Sequence, residues 1–188
     1  MTSTVTLVAD HLGTTAPKVL GHEYYVDAII NVTDFNDSQG SLTVDFDSGT
    51  NSAVVSAGTV DVTKYLAGQN LIIAGSVETF SGVTVTSTDG DADTIILSSV
   101  TGDNTNDSGV TFSTDQEVIP YSDFGLSSVS QVQILGQEDD TLLWCVELGT
   151  DGNSKIADHL VLKCNTASSG AQATDDVGTI RVRLFGQL

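Results

Sequence analysis

The chain has 188 residues, of which 25 are Asp or Glu and 6 are Lys or Arg, so its formal net charge is -19 at pH 7. A charge of this sign repels phosphate backbones and anionic lipid headgroups, which excludes nucleic acid and membrane surfaces as expected partners. The length suffices for one sizeable core that buries roughly 70% of the unfolded surface.

The first residues, MTSTVTLVAD, lack a basic region followed by an apolar block, so we expect a soluble chain without a processed leader. Segment 1–21 starts with a short strand pattern and then runs through Gly13 and Pro17 without periodicity. It is predicted to be either an extended N-terminal arm or an ordinary first strand and loop. The sequence leaves both open.

Short runs of alternating apolar and polar residues, bounded by Gly, Asn, Asp and Ser, recur along the rest of the chain. They predict strands at 4–9, 24–33, 41–46, 53–62, 70–80, 82–88, 94–101, 109–114, 129–135, 141–148, 159–164 and 178–185. Many short strands rich in Val, Ile and Thr predict an all-β fold, an antiparallel β-sandwich or barrel with minimal helix.

Helix is expected only in two short segments, at 61–69 and around YSDFGLSS at 121–128. Residues 22–188 are predicted to form one β-sandwich or barrel domain. A weaker lobe boundary is predicted near 101–109, where the composition turns to Gly, Asn, Asp and Thr.

Two acidic segments contain part of the pattern of a calcium loop. DGDAD at 89–93 places carboxylates on Asp89, Asp91 and Asp93, and DNTNDSG at 103–109 is similarly acidic. Both lack the bidentate glutamate that completes an EF-hand loop. Acidic turns arise easily in a chain this rich in aspartate, so we expect solvated turns and no metal site.

Motifs of catalysis are few. The triplet Asp123-Phe124-Gly125 is spelled like the magnesium-binding triplet of protein kinases, but the glycine-rich loop, the strand lysine and the catalytic loop are missing from the sequence. We expect a turn whose Phe124 and Leu126 enter a core. The histidines His11, His22 and His159 lack the spacing of a zinc protease, so we expect no enzyme and no cofactor.

The two cysteines are predicted not to form a disulfide. Cys145 alternates with Trp144 and Val146, whereas Cys164 shares a face with Leu160 and Leu162. If the Trp144 face meets the Leu160 and Leu162 face, the thiols point to opposite sides, although Leu143 makes both faces of the first strand partly apolar. We expect two reduced, mostly buried thiols.

The C-terminal part of the chain carries a family resemblance. QEVIPYSDFGLSSVSQVQILGQEDDTLLWCVELG, followed by HLVLKC and the closing strand GTIRVRLFGQL, resembles small β-rich virion proteins of tailed bacteriophages, particularly those that infect aquatic bacteria. The shared pattern is an acidic DFGLSS turn before a strand and then a hairpin with an aromatic strand. It covers mainly residues 116–188, and the N-terminal half has no counterpart in it.

The resemblance implies a capsid decoration or cement protein. Such a protein is made in the host cytoplasm and is non-enzymatic and often trimeric. It sits on the outer surface of the virion and binds the major capsid protein of the assembled shell. A part that fills many equivalent shell positions needs a rigid β body whose strands or arms can contact a neighbour.

Candidate partner contacts come from the two ends of the chain. Thr4, Thr6 and Lys18 belong to the N-terminal arm or strand, and Arg181 and Arg183 share one face of the last strand. A docking face for the shell and a plain solvent face on a core strand both fit this pattern.

The alternative class is a receptor-binding or glycan-binding β module of a tail fibre or a bacterial adhesin. Such modules bind sugars with exposed aromatic residues. Trp144 lies in an apolar run and is expected in the core, which leaves Tyr24, Tyr25, Tyr65 and Tyr121 as candidates. A hydrolase is the third option.

Overall fold

The structure, a computed structural model, describes residues 3–33, 35, 39–102, 105–149, 156–173 and 176–188. Within these ranges the chain forms fourteen strands, two short 3-10 helices and no α-helix. The strands are β1 (Ser3–Leu7), β2 (Lys18–Leu20), β3 (Glu23–Val32), β4 (Gln39–Asp47), β5 (Ser52–Ala57), β6 (Ile72–Ala74), β7 (Val85–Asp89), β8 (Thr94–Leu97), β9 (Asn106–Ser113), β10 (Glu117–Pro120), β11 (Ser128–Gln137), β12 (Leu142–Leu148), β13 (His159–Thr166) and β14 (Gly178–Gln187). They pair antiparallel in three sheets, which confirms the predicted all-β class with minimal helix.

The chain divides into two compact units. The first contains residues 1–36 and 116–188, and the second contains residues 37–115. The second unit is therefore inserted in the sequence of the first, between β3 and β10. The boundary predicted near 101–109 lies within the second unit, because that segment runs into β9, which belongs to the same sheet as β8.

In the first unit, two sheets enclose one core. The larger sheet has the order β1-β3-β14-β11 with β2 also paired to β3, and the smaller has the order β10-β13-β12. Inward-pointing residues alternate with outward-pointing ones, as expected for a sandwich with one solvated face per sheet. Those contributed to the core by β3, β13 and β14 are Val26, Ala28, Ile30, Val32, Leu160, Leu162, Cys164, Ile180, Val182 and Leu184.

The second unit is a single sheet with the order β6-β9-β4-β5-β8-β7, and it surrounds a separate core. Leu71 N donates to Val83 O at 2.9 Å, and Val85 N donates to Gln69 O at 2.9 Å. These bonds join the chain just before β6 to the start of β7. The sheet therefore curves so that backbone hydrogen bonds join the segments next to its two end strands. The strands themselves do not form a closed barrel.

The strand predicted at 70–80 is shorter in the structure and ends at Ala74. The next residue, Gly75, has a φ of 81°, a left-handed conformation that favours glycine. A Cβ atom on Gly75 would also overlap the backbone oxygen of Gly109. Only glycine fits both requirements, so the strand ends and the chain bends at this residue.

Two short strands were not predicted, β2 and β10. Pro17 precedes β2, and Pro120 is the last residue of β10. Proline interrupts the alternation of apolar and polar residues by which strands are predicted, so both strands were too short to be recognised. Within segment 1–21, β1 pairs with β3 along its whole length, and β2 pairs with the first residues of β3.

The DFGLSS stretch folds as the turn that was predicted. Tyr121–Phe124 is a 3-10 helix, and Gly125 follows it with a φ of 71°. Phe124 and Leu126 are both buried in the core of the first unit. The triplet is therefore a core-anchoring turn before β11.

Candidate functional site: the outer face of the five-stranded sheet

All five residues that were predicted to contact a partner lie on one surface. We call this surface the outer face: the side of the five-stranded sheet that points away from the core of the first unit. Thr4 and Thr6 alternate with the core-packed residues of β1, and Arg181 and Arg183 alternate with those of β14. Lys18 lies over the ring of Tyr25 on the same side.

Strand register brings residues from distant parts of the chain together in rows across this face. Ile29 of β3 lies between Thr6 of β1 and Arg181 of β14. In the next row Asp27 is opposite Arg183. Side chains directly opposite each other in an antiparallel pair are close enough to interact, so each row acts as a unit.

The central row is an ion pair with two hydrogen bonds. Arg183 donates from Nε to Asp27 Oδ1 at 2.6 Å and from its terminal nitrogen to Oδ2 at 2.8 Å. Asp27 is buried. The hydrogen bonds from Arg183 lower the pKa of Asp27 below its ordinary value despite burial, and the same contact raises the pKa of Arg183. Both groups therefore stay charged, and Arg183 already has an ion-pair partner within the chain.

Tyr25 and Phe185 form the next row. Their ring centroids are 6.2 Å apart, and both side chains are half-buried. The Arg183 guanidinium lies 4.9 Å from the centre of the Tyr25 ring, and the Lys18 ammonium lies 5.7 Å from it. Two cations therefore contact one ring by cation–π attraction, which positions them above the sheet.

Arg181 is the exposed cation of this face, whereas Lys18 and Arg183 are half-buried and lie over the ring of Tyr25. Arg181 makes no hydrogen bond or ion pair with any other described residue. Opposite it, Ile29 is 38% exposed. The outer face thus presents a charged donor group beside an aliphatic contact, with the hydroxyls of Thr4 and Thr6 at its margin.

The outer face differs in charge from the rest of the chain. The five strands of its sheet carry three cations, Lys18, Arg181 and Arg183, against two carboxylates, Glu23 and Asp27. Half of the chain's six Lys and Arg residues are therefore here, although the whole chain has a net charge of -19. Glu23 is further engaged by the hydroxyl of Ser130, which donates to it at 2.6 Å. This composition suits contact with an acidic surface.

Sequence reasoning missed Tyr25, Asp27, Ile29 and Phe185 as parts of this face. The alternation in β3, where Tyr24 and Val26 point inward, was a local signal that placed the first three on one side. What the sequence did not contain was the pairing of β3 with β14.

The acidic segments are not assembled into a metal site among the described residues. Asp89, Asp91 and Asp93 lie at the β7–β8 turn, where Asp89 accepts a hydrogen bond from the Asp91 backbone. In the second segment Asp107 is buried and accepts a 2.8 Å hydrogen bond from Val77 N, so it holds a loop. Asp103 lies outside the described residues.

The cysteines are both free. They point to opposite sides of the smaller sheet, as predicted, with Cys164 in the core. Burial and the charge of Asp139 raise the pKa of Cys164 to about 11. The prediction that Cys145 is buried is wrong: β12 is the last strand of its sheet, and Cys145 lies exposed on its outer side.

The aromatic residues needed for a glycan site are mostly internal. Tyr65 and Tyr121 are buried, and Tyr24 and Trp144 pack against the core of the first unit. Tyr25 remains on the surface, where Lys18 and Arg183 already contact it.

A cavity of about 490 Å³ lies beside Tyr121, with Ser128, Leu148 and Asp158 among its lining residues. Burial raises the pKa of Tyr121, which keeps its phenol neutral. Burial likewise lowers the pKa of the neighbouring His159. The described lining residues bring together a neutral phenol, a hydroxyl and one carboxylate, an arrangement without a nucleophile activated by a base.

Comparison with known proteins identifies no relative: no protein family, curated protein or solved structure matches this chain. In the described part of the chain, no helix is long and apolar enough to cross a membrane.

Proposed function

We propose that the protein is a non-enzymatic structural component of a phage virion, a decoration protein that binds the assembled shell through the outer face. The observation that carries the proposal is the convergence of Thr4, Thr6, Lys18, Arg181 and Arg183 on one surface. These residues come from opposite ends of the chain, where the sequence predicted the candidate partner contacts.

The chemistry of the face supports this role. A rigid antiparallel sheet presents side chains at fixed spacings, so a docking surface on it loses little conformational entropy when it binds. The ion pair of Arg183 with Asp27 fixes the middle of the face and leaves Arg181 to contact the partner. The expected partner surface is an acidic area of the major capsid protein in the outer shell.

Each such contact is modest, because exposed charge pairs contribute less than about 1 kcal/mol. Tight attachment then requires contacts to more than one capsid subunit at once, which act at high effective concentration. A decoration site of this kind exists only where neighbouring subunits meet. The protein should therefore bind assembled shells and bind free capsid subunits poorly.

The test is co-sedimentation of the purified protein with undecorated shells of the phage that encodes it. We expect saturable binding and a gain in the resistance of the shells to heat. Free capsid subunits serve as the control for assembly. Absence of saturable binding would refute the proposal, and binding to a glycan array that is lost in Tyr25→Ala would favour the glycan-binding class instead.

A further inference from the structure

The strand β11 is an open edge of the five-stranded sheet. It pairs with β14 on one side, and on the other side it pairs with no described strand. Eight of its ten residues are exposed, more than in any other long strand of this sheet. Its backbone therefore offers a row of donors and acceptors that another strand can bind.

Charge and proline, two of the features that protect edge strands, are missing from β11. Its sequence, SVSQVQILGQ, contains no charged residue and no proline, and Ile134 and Leu135 are 40% and 45% exposed. Natural edges are usually blocked by lysine, by proline or by bulges. Two register irregularities are present, but residues 131–134 between them keep regular pairing with β14.

The absence of charge makes β11 a place where a second copy of the chain can approach. Two copies of the chain each carry -19 and repel each other over most of their surfaces. They can approach most easily where the surface is uncharged, and β11 is a ten-residue strand without charge in a chain whose charged fraction is 16%. The opposite edge of this sheet is formed by two shorter strands, β1 with five residues and β2 with three.

We propose that β11 pairs with β11 of a second copy of the chain, antiparallel, with the two-fold axis close to Val132 and Gln133. The same strand then serves both sides of the contact, as two-fold symmetry requires. The two five-stranded sheets become continuous, and Ile134 and Leu135 of each copy lie beside side chains of the partner strand. This assembly has two chains, unlike the trimer that the resemblance implies, because such a contact is complete with two copies.

If the protein docks on a shell through the outer face, as proposed above, edge pairing also determines how many outer faces meet the shell. The two-fold axis of an antiparallel strand pair is perpendicular to the sheet, so the outer faces of both copies point in the same direction. A dimer would present Arg181 and Ile29 twice toward one shell surface. Two linked contacts bind more tightly than either alone.

The experiment is the mass of the intact protein in solution, measured by light scattering and sedimentation across a dilution series. We expect about twice the chain mass of 19.6 kDa. Leu135→Lys places a charge on the edge and should raise the dissociation constant of the dimer by about tenfold or more. The matched control is Leu12→Lys, which makes the same change at a residue that is 78% exposed in a loop, and it should leave the dimer intact.

A single-chain or three-chain mass for the unaltered protein would overturn the proposal, as would a Leu135→Lys dimer as stable as that of Leu12→Lys. Circular dichroism of both variants verifies that they are folded. Failure of the shell-binding proposal is distinguishable from failure of the dimer proposal. If Leu135→Lys dissociates the dimer but the unaltered dimer never binds shells, the edge contact is supported and the decoration role is refuted.

Discussion

Replacing Arg183 with methionine leaves the Asp27 carboxylate without its two charged hydrogen bonds. Removing one member of a fully buried ion pair costs about 3 to 5 kcal/mol, whereas fully exposed pairs contribute below about 1 kcal/mol. This pair is intermediate, because the side chains of Arg183 and Asp27 are 36% and 12% exposed. Solvent screens part of the interaction, so we expect the free energy of unfolding to fall by about 2 kcal/mol.

The loss should depend on pH in a defined direction. The pKa of Asp27 is lowered in the folded state, so the stability that the pair contributes is present above the ordinary aspartate value of about 4. It is lost as the pH falls through the lowered folded-state value, where Asp27 becomes protonated. The difference between the unaltered chain and Arg183→Met should therefore be constant near neutral pH and shrink below about pH 4.

Urea unfolding followed by tryptophan fluorescence measures this difference. Trp144 is the chain's single tryptophan, and it packs against the core of the unit that contains the ion pair. Arg181→Met is the matched control, with the same substitution on the same strand and face but without an ion pair among the described residues, and should cost less than about 0.5 kcal/mol. Equal losses in both variants, or a difference that does not change with pH, would refute the reasoning.

Two further predictions concern the thiols and the N-terminal strand. Cys145 should react with a thiol reagent in the native protein, and Cys164 should react only after unfolding, because burial raises its pKa to about 11; equal native reactivity would contradict the packing of β13. Deleting residues 1–9 removes Val5 and Leu7 from the core and should lower the free energy of unfolding by at least about 2 kcal/mol in the Trp144 assay, whereas unchanged stability would indicate a free arm.

The sequence was sufficient for local structure. The alternation within β3 and β14 predicted both strands, and in β14 it placed Arg181 and Arg183 on one face. The hydrophobic positions around DFG predicted a turn anchored by Phe124 and Leu126. These features depend on neighbouring residues, whose pattern is visible in a single chain.

Pairing between distant strands could not be predicted in this way. Arg181 and Arg183 are equivalent in the sequence, and only the register of β14 with β3 gives Arg183 a carboxylate partner and leaves Arg181 beside Ile29. The exposure of Cys145 depends in the same way on the position of β12 at the end of its sheet. The insertion of residues 37–115 into the first unit is likewise a long-range property.

The most direct test of the docking face is the binding isotherm of Arg181→Glu on undecorated shells. The control is Lys64→Glu, which makes the same change in charge at an exposed residue of the second unit. We predict that Arg181→Glu weakens shell binding by about tenfold or more, with a smaller salt dependence than the unaltered protein, and that Lys64→Glu binds nearly as the unaltered protein does. Equal binding by the two variants would contradict a shell contact through the outer face.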